Sequence, residues 1–356
     1  MKRFTILFLL PLLLFAQWNE FSHALFNTLD DENRIISPYS VQSALMMTYY
    51  GAKGETRDEL QGALLLKDDL IPPEISSPSI HIANSIWIDT DYNLLTSYQE
   101  IIQDAFDTSI HSLSFSDVEN ARNMMNAWVE KEHDGAIKEV IEEDALDENT
   151  RMTIFNTIHI KDEWLYQFDK NKTTLSVFYG NTEERPINMM QQQTILPYCE
   201  TPHCQATLLP FSQDRRFAAV FVLPKDGCNL EMHTLPLDKW VYKSVDLRVP
   251  KFKLKTKNDL LPSLKALGLN IALTNRADFS GLTGYPSLKI DKIFTSTGVE
   301  IDESGISATA ATGVTFGLKS SLVKPEKTFL ANRPFGFMVI DTKTKVILFM
   351  GEVCQP

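Results

Sequence analysis

The stretch ESGISATAATGVTFGLK, residues 303–319, holds fifteen consecutive uncharged positions between Glu303 and Lys319, three of them glycine. Small residues and glycines in such number suit an exposed loop. Yet its even positions read Ile306, Ala308, Ala310, Thr312, Val314, Phe316 and Leu318, and its odd ones Gly305, Ser307, Thr309, Ala311, Gly313, Thr315 and Gly317. That is the two-residue period of a strand, apolar on one face and small or polar on the other. Two readings stand: a strand that simply belongs to a sheet, or a segment that is loop in one state and strand in another. Lys319-Ser320-Ser321, which close it, suit a protease cleavage site at a loop tip.

Upstream, the pattern from Phe21 to Leu65 is helical, with Ser37-Pro38 opening a helix that carries Val41, Ala44 and Leu45 on one face. Residues 66–80, with three prolines, read as a loop, and His81–Ile88 as a buried strand. Val118, Ala121, Met125, Trp128 and Val129 share one face of a second helix, ending at the Asp134-Gly135 turn. Beyond residue 150 strands take over: Arg151–Ile160, Phe217–Leu223, Val245–Thr256, and a hairpin of Phe335–Ile340 and Val346–Met350. No Gly-, Ser- or Pro-rich linker divides the chain and no repeat recurs, which predicts one large α+β domain.

The 356 residues carry 34 Lys and Arg against 46 Asp and Glu, a net charge of −12. The acidic surplus argues against nucleic-acid and anionic-membrane partners. Lys2-Arg3 followed by an apolar run to Phe15 and then Ala16 matches a secretory signal over residues 1–16. Residues 17–356 would then form the exported domain, extracellular or, in a bacterium, periplasmic. Cys199 and Cys204 flank Pro202 at a hairpin tip, and either close a small disulfide loop or stay free, as do Cys228 and Cys354. Scattered histidines and the lack of a Cys-x-x-Cys pair give no metal site, and no cofactor is implied. Asn171-Lys172-Thr173 is a glycosylation triplet. No Gly-x-Ser-x-Gly elbow, phosphate loop or His-Glu-x-x-His motif supports an enzyme.

Five blocks in order resemble the serpin family across nearly the whole chain. They are Asn33 with Ser37-Pro38-x-Ser40 and Gly51–Leu60; Phe155–Ile158 with Trp164 and Phe168; Val249–Leu254; Ala277–Gly281; and Arg333–Phe335 through Gly351. The resemblance implies a single domain with a main central sheet, two further sheets, surrounding helices and an exposed reactive-centre loop at about 303–325. It implies a suicide inhibitor that uses no catalytic residues of its own: the protease attacks the loop, and the cleaved loop inserts into the main sheet, as loops of this family do.

Matched residue by residue, the hinge falls on Glu303, Gly305, Ile306, Ala308, Ala310, Ala311 and Thr312. The scissile bond falls between Lys319 and Ser320, with Leu318–Lys319 and Phe316–Gly317 as the alternatives. A lysine there suits the carboxylate-based pocket of a trypsin-like serine protease. A chymotrypsin-like, subtilisin-like or cysteine protease target, or a non-inhibitory carrier or chaperone, is the competing reading; the hinge carries no charge of the kind a non-inhibitory member tolerates. The sheet-opening region maps to Ser37, Ser40, Asn156, Trp164 and Thr295. Thr295 stands where a histidine is usual opposite Asn156, so the hydrogen bonds there should be rearranged. Ser296, Thr297, Ile306 and Asn332 also depart from the family's pattern. The short 66–80 segment and the acidic charge make heparin activation unexpected, and a monomer is the expected form.

Overall fold

Ser37 starts the helix around which the molecule is built. The computed structural model describes residues 9–67, 72–106, 110–132, 135, 140–306 and 324–356, with side chains from Trp18 onward except those of 257–259. The helices are α1 (Leu9–Phe26), α2 (Pro38–Gly51), α3 (Gly54–Ala63), α4 (Thr96–Phe106) and α5 (Val118–Glu132), with two short ones further on. Ser37 caps α2, its Oγ accepting from Ser40 N, and Pro38 takes the first helical position where its missing N–H costs nothing. Nearly all of α2 is buried, and three of its polar side chains donate to backbone carbonyls: Gln42 Nε2 to Leu64 O, Ser43 Oγ to Tyr39 O and Thr48 Oγ1 to Leu45 O.

In chain order the strands are β1 (Arg34–Ile36), β2 (Ile80–Asp89), β3 (Ile110–Leu113), β4 (Met152–Ile160), β5 (Asp162–Glu163), β6 (Thr174–Tyr179), β7 (Glu184–Glu200) and β8 (Cys204–Pro210). They continue as β9 (Phe217–Pro224), β10 (Val241–Pro250), β11 (Phe252–Asp259), β12 (Lys292–Ile301), β13 (Gly305–Ile306), β14 (Lys327–Leu330), β15 (Phe335–Asp341) and β16 (Ile347–Val353).

Seven strands form one sheet, in the order β3-β2-β4-β12-β13-β5, with β11 on the other edge of β12. The other nine run β1-β16-β15-β9-β8-β7-β10-β14, with β6 on β7. The two smaller sheets expected from the sequence are joined through the seventeen residues of β7. The α+β single-domain expectation holds. One reading needs correction: Val245–Thr256 is not one strand. It divides at Lys251 into β10 and β11, which belong to different sheets. Pro250 has no N–H to carry a ladder onward, and Lys251 N donates instead to Asn188 O at 2.8 Å.

α5 lies over the seven-stranded sheet with Ala121, Met125 and Val129 turned inward. A file of rings runs beneath it from His111 on β3 and Trp87 on β2, through Trp128 of α5, to Phe155 on β4 and Phe294 on β12. All four cysteines are free thiols, so no disulfide closes the hairpin carrying Cys199 and Cys204; β7–β8 pairing holds it, with Cys204 N donating to Thr201 Oγ1 at 3.0 Å across its tip.

Candidate functional site: the hinge and the parallel seam

β4 and β12 are neighbouring parallel strands, paired from Lys292↔Thr153 to Thr297↔Ile158. Parallel pairing is slightly weaker per residue than antiparallel. Beyond that ladder the two strands no longer touch directly. β13 lies between them, antiparallel to β12 through Ile301↔Ile306 and antiparallel to β5 through Gly305↔Glu163 and Ile306↔Asp162. Since β5 begins two residues after β4 ends, the hinge sits as a wedge at one end of the seam.

The wedge is built from local chemistry. Asp302 makes the reversal, its Oδ1 accepting from Ser304 N at 2.7 Å and Gly305 N at 3.2 Å. A Cβ at residue 305 would come within 2.0 Å of Asp162 O, so only glycine fits. Ile306 is 1% exposed and belongs to the hydrophobic core. Asp162, itself buried, holds β5 in place by accepting from Ser79 Oγ and from Gln213 N and Asp214 N.

Glu303 is 4% exposed and fully engaged: Oε1 accepts from Thr173 Oγ1 at 2.8 Å and Oε2 from Lys251 Nζ at 2.8 Å. Burial pushes its carboxyl up, but the hydrogen bonds from Lys251 and Thr173 outweigh that and leave it below the ordinary carboxylate range. The backbone is gripped as well. Trp164 Nε1 donates to Asp302 O, Trp164 N to Ser304 O and Phe168 N to Glu303 O, at 2.9, 2.8 and 3.0 Å. Trp164 is buried against Phe211 and Phe221. It therefore belongs to the hinge, roughly 20 Å along the sheet from Asn156, rather than to one cluster with Ser37, Ser40 and Thr295.

Asn156 and Thr295 face each other across the seam, with Asn84 opposite Asn156 on the far side. Asn156 Nδ2 donates to Asn84 Oδ1, while Asn156 Oδ1 and Thr295 Oγ1, both buried, have no hydrogen-bond partner among the described residues. No hydrogen bond joins the Thr295 and Asn156 side chains among the described residues. Ser40 Oγ is a further buried hydroxyl without a partner, whereas Ser37 Oγ donates to Leu348 O at 2.7 Å. Sequence reading missed Asn84, Thr173 and Lys251 as working residues. The one signal for Asn84 was a polar side chain inside an apolar run.

Ala308, Ala310, Ala311, Thr312, Lys319 and Ser320 lie outside the described residues. The chain resumes at Lys324, and Glu326 N donates to Ser244 O at 2.9 Å as it leads into β14.

A family model described as "Serpin (serine protease inhibitor)" matches residues 16–356, and the chain belongs to that family. It is 31% identical to a serpin-like protein of Methanosarcina mazei, covering 92% of this chain and 82% of that one. It is 30% identical to intracellular coagulation inhibitor 2 of Tachypleus tridentatus, covering 91% and 86%. Among solved structures, a thermophilic serpin, tengpin, in its native state superposes with TM-score 0.85 at 26% identity, covering 96% of this chain and 93% of that one. Thyroxine-binding globulin in complex with thyroxine gives 0.84 at 26%, covering 96% and 98%. The family therefore contains both protease inhibitors and proteins that carry small molecules.

Proposed function

We propose that the protein is a secreted, single-use inhibitor of trypsin-like serine proteases. The observation that supports this best is β13. The hinge already forms two residues of an antiparallel strand at the mouth of a parallel seam, with Ile306 facing inward. If the alternation continues beyond Ile306, Ala308, Ala310 and Thr312 follow on the same face and fit a tight interior. Insertion would replace one parallel ladder by two antiparallel ones. At ~0.5–1.5 kcal/mol net per hydrogen bond, about a dozen inserted residues supply on the order of 10 kcal/mol before chain-entropy losses. That is enough to drag and deform a protease held as an acyl-enzyme on Lys319. Secretion is read from Lys2-Arg3 and the apolar run ending at Ala16, and the family match starts at residue 16.

Incubation with trypsin should give a complex that survives denaturing electrophoresis, with Ser320 as the new N-terminus of the released fragment. Lys319→Phe should abolish that complex and favour chymotrypsin. Complete cleavage at Lys319 with no trapped protease would rule out inhibition, and a different new N-terminus would rule out the assigned bond.

A further inference from the structure

Asn171-Lys172-Thr173 is the single place in the chain where an asparagine stands two residues before a serine or threonine. The fold puts it on the surface. Lys170–Lys172 form one tight helical turn ahead of β6, with Asn171 and Lys172 exposed. Asp169 caps that turn, its Oδ1 accepting from Asn171 N at 3.0 Å and from Asn171 Nδ2 at 3.1 Å. A side-chain amide nitrogen carries two hydrogens, so one is held by Asp169 and the other is left for substitution. Thr173 is engaged elsewhere: its hydroxyl donates to Glu303, 130 positions further along the chain. At ~5–20 residues added per second, that interval leaves the triplet open for on the order of ten seconds of synthesis. Only then does Glu303 exist to claim the hydroxyl.

We propose that Asn171 is an N-glycosylation site, modified on the emerging chain before the hinge is assembled. The inference rests on the reading of residues 1–16 as an export signal, which brings the chain to the compartment where such transfer occurs. The donor is an oligosaccharide joined through pyrophosphate to a lipid. Asn171 Nδ2 forms a bond to the anomeric carbon, the bond from that carbon to the pyrophosphate oxygen breaks, and the amide loses one proton to a base of the transferase. Nothing is oxidised or reduced. The remaining N–H still suits Asp169, so the turn closes with the sugar outside. Closure then shuts the site. With Thr173 Oγ1 donating to Glu303 and residues 170–172 coiled, the open Asn-x-Thr form that a transferase reads is gone. One threonine thus serves first as part of an acceptor and then as a ligand of the hinge.

The test is translation of the full-length chain in the presence of rough microsomes, read as a mass step on electrophoresis that peptide N-glycosidase removes. Wild type and Thr173→Ser should each show one step during synthesis, and Asn171→Gln and Thr173→Val none. Wild type folded without membranes and then offered to permeabilised microsomes should stay unmodified, although a short Asn-x-Thr peptide is modified beside it. Imported wild type without the step overturns the proposal, and so does a step that survives Asn171→Gln. Equal modification of the folded protein overturns the ordering. If the chain is not imported, the export reading fails separately. The same four chains behind a secretory leader of known function then decide the site: a step in wild type and Thr173→Ser alone supports it, and no step rejects it. The two roles of the triplet also separate by stability. Asn171→Gln should keep the urea midpoint of unmodified wild type while Thr173→Val lowers it, and an unchanged midpoint in Thr173→Val would overturn the double role.

Discussion

Glu303 is anchored on both oxygens, by a cation and by a hydroxyl from two other parts of the chain. Glu303→Gln keeps the shape and the Thr173 contact but loses the charge, leaving Lys251 against a neutral partner. A charge-assisted hydrogen bond lost at a buried site costs about 1–3 kcal/mol, so the urea midpoint of the intact protein should fall. The hinge should also insert more readily without a ligand to release it, visible as slow loss of activity on warming. The pH dependence follows from the direction of the shift. Because the folded pKa lies below the unfolded one, near ~4.3, ionised Glu303 stabilises the fold above the unfolded value. That contribution disappears as pH falls through the folded value. Wild type should lose more stability than Glu303→Gln between roughly pH 5 and pH 3; parallel curves would mean the carboxylate does not hold the hinge.

At the scale of elements, the seam between β4 and β12 carries two buried polar atoms without partners among the described residues, Asn156 Oδ1 and Thr295 Oγ1. Thr295→Val removes one of them at nearly constant shape and should raise stability by about 1 kcal/mol or more. A tighter seam should open more slowly, so more loop is cleaved for each protease captured, and the stoichiometry of inhibition rises. A less stable Thr295→Val would show that the hydroxyl has a partner, such as a bound water, after all. The alternation after Glu303 made a strand legible there, and Gly305–Ile306 form one; the rest of that segment lies outside the described residues. The capping at Ser37-Pro38 and the terminal hairpin were equally local and equally readable. Less legible were the contacts that hold the hinge. Thr173 and Lys251 are separated from Glu303 by long intervals of chain, and nothing in their own neighbourhood marks either as a ligand for a carboxylate. The division at Lys251 was missed for the same reason: an alternating run looks the same whether one sheet or two receive it, and only tertiary pairing decides.

For the whole molecule, the proposed inhibitor mechanism requires residues 307–319 to stay outside the main sheet until they are cut. Once residues 307–319 are freed by cleavage, they should enter the seam and bury their apolar face. The cleaved protein should therefore melt well above the intact one; a melt at or below it would reject insertion as the driving step. The position of the wedge also sets how fast this happens. A seam split all at once would need every pair from Thr153 to Ile158 broken before anything was regained. With Gly305-Ile306 already seated beyond Thr297↔Ile158, the proposed insertion would advance as a crack does, each pair parting at the tip as two new bonds close behind it. Speed and final stability are then governed by different residues. Thr297↔Ile158 at the tip, and Thr295↔Asn156 two pairs further in, control how soon the crack moves, whereas the remote Lys292↔Thr153 pair affects only where it comes to rest. Phe155 and Phe294, whose ring centroids stand 5.7 Å apart across the seam beneath α5, lie between those limits. The crack must lift that helix midway, after it is committed but before the loop is home.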